Sequence, residues 1–151
     1  MSNVLLRPAT AADLPQITAL VRAAYTPWVD VIGATPGPMQ DAYGPAIAEG
    51  VVQVMEDAQG LVALLILRPL DDAMLLENVA VLPRAQGMGL GQSLLTMAER
   101  ATREAGFGRI VLYTHARMAS NLALYERAGF VRIEERRERG LDRVYMEKTL
   151  G

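Results

Sequence analysis

The chain has 151 residues, 51% of them apolar, with no cysteine, one histidine and a formal net charge of −2. This length suits one domain over residues 1–151, and the apolar share excludes a disordered chain. Lack of cysteine excludes a disulfide framework, a thiolate nucleophile and a thiolate metal site, and one histidine argues against a catalytic metal. No basic block marks a nucleic-acid surface. The opening residues, MSNVLLRPATAAD, lack the basic-then-apolar order of a signal peptide, and no apolar run approaches the ~20 residues of a membrane span. The expectation is a cytoplasmic protein that engages neither nucleic acid nor membrane.

Val4 to Arg7 predicts a first short strand. Thr10 and Asp13 then form an [ST]-x-x-[DE] cap pattern, with Pro15 fitting the first helical turn. Leu14, Ile17, Val21, Ala24, Tyr25 and Trp28 follow at helical spacing. The helix is expected to stop before the glycine- and proline-rich VIGATPGPM, and a shorter one to cover Met39 to Ala48. Val51 to Glu56 and Leu61 to Leu67 read as strands around a turn at Asp57 to Gly60, and Ala73 to Leu82 as a long central strand. Gly89 to Ala105 has the clearest helical pattern, with Glu99 and Arg103 spaced as an i,i+4 ion pair. Arg109 to Thr114 is a strand, Ser120 to Ala128 a helix closed by Gly129, and Phe130 to Arg137 and Arg143 to Lys148 two strands around Gly140. The order predicts a mixed α+β fold, a largely antiparallel sheet with helices on both faces. The two strands flanking the Gly89 helix are parallel in this reading. The mixed-charge final strands are also where a homodimer could form.

The richest stretch is Glu77 to Ser93, ENVAVLPRAQGMGLGQS. A glycine loop that opens a helix is a ready anion site, because the first N–H groups lack partners and glycine lets a phosphate approach the backbone. Two common phosphate loops fail here. G-x-G-x-x-G needs a glycine where Gln92 stands, and the Walker A pattern needs a lysine after Gly91. A third pattern, [QR]-x-x-G-x-[GA], is met by Gln86, Gly89 and Gly91 after Val81-Leu82-Pro83.

In this stretch the sequence resembles the GNAT superfamily of N-acetyltransferases. LLENVAVLPRAQGMGLGQSLL is similar to the family's acetyl-coenzyme A motif, and NLALYERAGF, Asn121 to Phe130, to its second motif. The resemblance implies the acetyltransferase fold over almost the whole chain and acetyl-coenzyme A as co-substrate, with no metal. It implies a pyrophosphate cradle of Gln86, Gly87, Met88, Gly89, Leu90, Gly91 and Gln92. It also implies a backbone rail of Val79, Ala80 and Val81 for pantetheine, with one N–H there as oxyanion donor. Asn121 resembles the family's cofactor-contacting asparagine, though it could equally cap a helix. Tyr125 resembles the tyrosine that protonates the coenzyme A thiolate. The rail requires the central strand to splay from Arg109–Thr114, which a bulge near Asn78 would achieve.

Acetyl transfer needs a neutral amine, and deprotonating a lysine-like amine at pH 7 costs roughly 4–5 kcal/mol. Glu77 is the base candidate, directly or through water. Strict alternation puts it in one row with Leu75, Val79 and Val81, where burial makes a carboxylate a stronger base. The alternative is an acid paired with an arginine. His115, just past a strand end, reads as a polar loop residue rather than a base. Trp28, Asp30, Met39, Asp41 and Tyr43 flank the glycine/proline loop, a region that in the family helps form the acceptor site. Trp28, Tyr43 and Glu77 are therefore acceptor-binding candidates, with core packing an equal reading for Trp28. The expected activity is acetyl transfer to a primary amine of a small molecule or peptide. A catalytically silent acyl-coenzyme A sensor of the same fold is the alternative. A covalent acyl-enzyme is disfavoured, since no cysteine or Ser/His/Asp cluster is present.

Overall fold

A computed structural model describes residues 5–151. The order is β1 (Leu5–Pro8), α1 (Leu14–Ile32), α2 (Tyr43–Ala48), β2 (Val52–Asp57), β3 (Gly60–Pro69), β4 (Met74–Val81), α3 (Leu90–Glu104), β5 (Arg109–His115), α4 (Ala119–Arg127), β6 (Val131–Glu138) and β7 (Leu141–Thr149). This is the expected sequence of elements; Val4, placed in the first strand above, lies outside the described residues.

The strands form one sheet in the order β1-β2-β3-β4-β5-β7-β6. Among the described residues only β4 and β5 pair in parallel, as the helical crossover between them demands. Buried residues of α1 and α2, among them Ile17, Leu20 and Tyr43, pack with Val54, Leu64, Ile66 and Ala80 on one face. On the other, Leu94, Leu95 and Ala98 of α3 and Leu122 and Tyr125 of α4 pack with Leu76, Ile110 and Leu112. The edge strand β6 leaves Val131 and Ile133 exposed.

The first helix outruns its expected end. It passes through Pro27 and the Val31-Ile32 pair, and Ile32 is buried. Gly33 stops it, with a left-handed φ of 76° and an N–H bonded to Val29 O at 2.8 Å. The second helix is shorter than Met39–Ala48. Gly37–Gln40 makes a separate 3-10 turn, and Asp41 and Ala42 are extended before α2. The capping box is as expected, Thr10 N donating to Asp13 Oδ2 at 2.7 Å. Glu99 does not pair with Arg103. It takes Lys148 Nζ, which also donates to Ala128 O at 2.6 Å and so closes the C-terminus of α4.

The central strand departs from simple alternation. Ile66 pairs with Asn78 and Leu67 with Leu76, so Glu77 is an extra residue opposite none. Leu76 packs toward α3 and α4, as do Val79 and Val81, whereas Ala80 packs toward α1 and α2. The row Leu75, Glu77, Val79, Val81 expected on one face is therefore broken at Glu77.

Candidate active site

Pairing of β4 with β5 ends at Leu76 and Leu112. Beyond that point the strands diverge, and among the described residues Asn78 to Val81 have no strand on that side. Leu82 N donates to Val62 O at 2.8 Å, so Leu82 and, by alternation, Ala80 direct their backbone groups to β3. Val79 and Val81 direct theirs into the gap. Val81 O is taken there by Gln86 Nε2 at 3.2 Å. Ala80 belongs to the ladder, so any rail rests on Val79 and Val81.

Two cavities flank this gap. The first, about 430 Å³, is bounded by Val79 to Val81, the loop from Gln86 to Gln92 without Met88, and Asn121 and Tyr125 of α4. Met88 points away and is exposed. Gly89 has a left-handed φ of 78° at the start of α3. Ser93 is the first residue there to donate along the helix, so among the described residues the N–H groups of Gly87 to Gln92 have no backbone acceptor. A row of free donors at the positive end of a 15-residue helix suits a pyrophosphate. At Gly91 a Cβ would approach Leu124 at 3.3 Å, so the backbone and α4 are already in contact. These features fit an extended, anionic acyl carrier: free backbone groups for its amides, free donors for its phosphates and a slot between strands.

The second cavity, about 740 Å³, lies on the other side of Tyr125, between β4, β5, the loop after α1 and the β6–β7 hairpin. Tyr125 and Asn121 line both. The Tyr125 ring is buried edge-on to Phe130, and its hydroxyl makes no hydrogen bond among the described residues. Burial pushes that hydroxyl up to about 12. Asn121 is the third residue of α4, which disposes of the helix-capping alternative.

Glu77 reaches the second cavity but is not an unpartnered acid in an apolar row. Arg68 Nε donates to its Oε1 at 3.0 Å, and Arg68 also binds Glu49. Asp41 stands at the cavity rim. Partial loss of solvent and then the Glu77 charge push its carboxyl up, against Arg143 and Arg139. Trp28 does not face this cavity. It packs with the α1 core and borders the cofactor-side cavity instead. Tyr43 faces neither. It is buried, donates to Pro38 O at 2.6 Å and accepts from Asn78 Nδ2 at 3.1 Å. His115 lines the second cavity; its Nδ1 accepts from Arg117 N at 3.1 Å, and burial lowers its affinity for a proton. The neutral ring then carries hydrogen on Nε2, which leaves no lone pair for a base toward the site.

The sequence marked Asn78 only as the place of a bulge and Tyr25 only as part of an apolar helix face, and it linked neither to the other. Asn78 is buried next to the bulge, and Tyr25 donates to its Oδ1 at 2.7 Å. The available signal was an asparagine that, beside Glu77, interrupts an apolar strand, which is costly without partners. Among the described residues no group of three or more His, Cys, Asp or Glu is arranged to hold a metal, and no helix is long and apolar enough to cross a membrane.

A diverging parallel strand pair, a donor-rich glycine loop at its mouth and a tyrosine between two cavities are the parts that an acyl-carrier-binding site requires. The model of the acetyltransferase (GNAT) family matches residues 17–130, and the chain belongs to that family. A mycothiol acetyltransferase of Arthrobacter sp. (strain FB24) is 43% identical over 54 residues, 36% of this chain and 17% of that relative. The chain thus corresponds to a minor part of that relative's length. The structure of PaiA N-acetyltransferase from Thermoplasma acidophilum, in complex with coenzyme A, aligns with a TM-score of 0.81 at 17% identity, covering 97% of this chain and 99% of that one. YncA from Salmonella typhimurium, a putative acetyltransferase with acetyl-CoA, aligns at 0.73 and 22% identity, covering 99% and 95%. At these identities the structural likeness speaks to the fold alone.

Proposed function

We propose that this protein transfers the acetyl group of acetyl-coenzyme A to a primary amine of a small molecule or peptide by direct attack in a ternary complex. The observation that carries the reading is the gap beyond Leu76 and Leu112, where the N–H groups of Val79 and Val81 have no strand partner among the described residues and border the same cavity as Tyr125. The co-substrate supplies an acetyl thioester there. The Val79 N–H offers a fixed donor to negative charge building on a carbonyl oxygen in the gap. Glu77, whose Oε2 makes no hydrogen bond among the described residues, takes the amine proton directly or through water. Its partner Arg68 fixes the other oxygen and so orients the carboxylate.

Tyr125 acts as a hydrogen-bond donor to the leaving sulfur more than as a proton source. A hydroxyl near 12 delivering its proton to a thiolate with a free-thiol pKa of about 8.5 runs uphill by roughly 5 kcal/mol. Donating a hydrogen bond carries no such cost, and burial keeps the hydroxyl protonated at every pH of interest. Glu77 returns the amine proton to solvent and the thiolate takes one from solvent, so the products are the amide and free thiol.

Acetyl-coenzyme A at a hundred times its dissociation constant should stabilise the fold by about 2.7 kcal/mol, read as a thermal shift, and an amine panel should release free thiol. Tyr125→Phe should lower kcat by about 10²-fold while coenzyme A affinity stays within about threefold. No thermal shift would sink the reading, and unchanged turnover in the Phe variant would remove Tyr125 from it.

A further inference from the structure

The acceptor-side cavity is lined by charges of both signs. Glu77 of β4 and Asp41 of the loop before α2 border it, and the β6–β7 hairpin brings Arg139 and Arg143 together with Glu138. Arg143 is the unusual member. Its side chain is only 16% exposed, yet its guanidinium donates no hydrogen bond among the described residues. It lies 4.6 Å over the Tyr113 ring, and the nearest carboxylate, Glu138, is 3.7 Å away and already engaged by the Tyr145 hydroxyl. Arg7, Arg68, Arg84 and Arg109, by contrast, all donate to carboxylates at close range. No buried side-chain nitrogen among the described residues lacks a partner, so the Arg143 guanidinium keeps its N–H groups open to the cavity, where they are free to meet an acceptor that enters.

Arg139 adds an independent sign. It has a left-handed φ of 52°, followed by Gly140 at 77°. A two-residue turn with both φ positive favours Asn-Gly, and an arginine at its first position works against local preference. That position puts a second guanidinium at the cavity mouth. Planar guanidinium groups recognise carboxylate and phosphate oxygens with paired, charge-assisted hydrogen bonds.

We infer that the acceptor amine also carries an anionic oxygen group, a carboxylate or a phosphate, which Arg143 and Arg139 hold while the amine faces Glu77 and Asp41. The inference rests on the amine-acetylation reading above and narrows its substrate class to zwitterionic amines.

The test is calorimetric titration of the coenzyme A-saturated protein with three matched sets. These are ω-amino carboxylates from glycine to γ-aminobutyrate and longer, alkylamines of equal length, and ethanolamine phosphate. At least one anionic amine should bind about tenfold or more tightly than its alkylamine, and Arg143→Gln should remove most of that preference. The carboxylate and phosphate arms identify which oxyanion is recognised. Arg139→Asn, which suits the turn and should fold at least as well, should reduce the preference by a smaller factor. Equal binding of charged and neutral amines, binding by no set, or a preference that survives in Arg143→Gln overturns the inference. Thiol release with neutral amines in that event leaves the acetyltransferase reading standing. Failure of acetyl-coenzyme A itself to bind is the separate signature of that reading's failure.

Discussion

The buried bonds around Asn78 permit a test that ties stability to catalysis. Asn78 accepts from Tyr25 at 2.7 Å and donates to Tyr43 at 3.1 Å, and all three side chains are buried. In Asn78→Leu the shape is nearly kept and both bonds are lost. Tyr43 retains Pro38 O as its acceptor, so its loss is modest, about 1 kcal/mol. Tyr25 is left with a 3.4 Å contact to Val79 O, too long to satisfy a buried hydroxyl, at a cost of about 1–3 kcal/mol. Leucine recovers part of this through apolar burial, leaving a net cost of about 1–3 kcal/mol. Tyr25→Phe alone orphans Asn78 Oδ1 and should cost about 1–2 kcal/mol. With both partners apolar neither penalty remains, so the double variant should fall short of the summed costs by about 1–2 kcal/mol. Urea denaturation of the four proteins measures this cycle. Additivity within about 0.5 kcal/mol would refute the account. The same network holds the residue between the bulge and Val79, so Asn78→Leu should lower kcat more than it raises KM. A variant that loses stability but keeps kcat would cut the link between this network and the chemistry.

Three further outcomes follow from other parts of the molecule. Asp13, clamped by Arg7 at 2.8 and 2.9 Å, is held down at about 2 from an ordinary 3.8, first by that hydrogen bonding. A depressed carboxyl stabilises the fold above its unfolded value, so about 2 kcal/mol should vanish as pH falls from about 4 to about 2. Urea midpoints of Asp13→Asn against the parent at pH 7 and pH 2 check this; a gap at pH 2 as large as that at pH 7 contradicts it. Gly89→Ala meets no atom within 4 Å but forces alanine to a φ of 78°, at roughly 1–2 kcal/mol, which lowers Tm by a few degrees and weakens coenzyme A binding in a thermal-shift titration. Lys148→Met leaves the half-buried Glu99 without its cation and should destabilise by about 1–3 kcal/mol in urea, with Glu99→Gln restoring part; no rescue would mean that the Ala128 carbonyl bond carries the effect.

Elements governed by local rules were legible in the sequence. The Thr10–Asp13 box, the α3 stripe, Gly129 behind α4 and the Gln86–Gly91 loop each follow from residues within a few positions of one another. Gly33 shows where local reading slips. The loop composition after it suggested an early stop, but a helix continues until a residue can take the left-handed cap, and Val31 and Ile32 extend it at a small propensity cost that burial of Ile32 offsets. Glu99 shows a second kind of slip. An i,i+4 partner on the same helix lost to Lys148, which arrives from β7 with a second use for its ammonium at Ala128.

The site itself depends on a relation between strands that no single strand's pattern contains. Alternation along β4 looks regular from Leu75 to Val81, and so it put Glu77 in an apolar row. The extra residue is defined only against β3, where Ile66 and Leu67 are consecutive but their partners are not. That one-residue slip has three consequences. It releases Glu77 from the ladder, so that Arg68 can hold it at the cavity. It sends Asn78 inward to Tyr25 and Tyr43, which pins the backbone after the bulge. It also coincides with the end of β4–β5 pairing, so the next free donors, the N–H groups of Val79 and Val81, open onto a gap instead of a neighbouring strand. An irregularity that would merely weaken a sheet elsewhere here sets acid, donor and slot within one turn of chain, and removing it by restoring regular pairing would close the gap as well as move the acid.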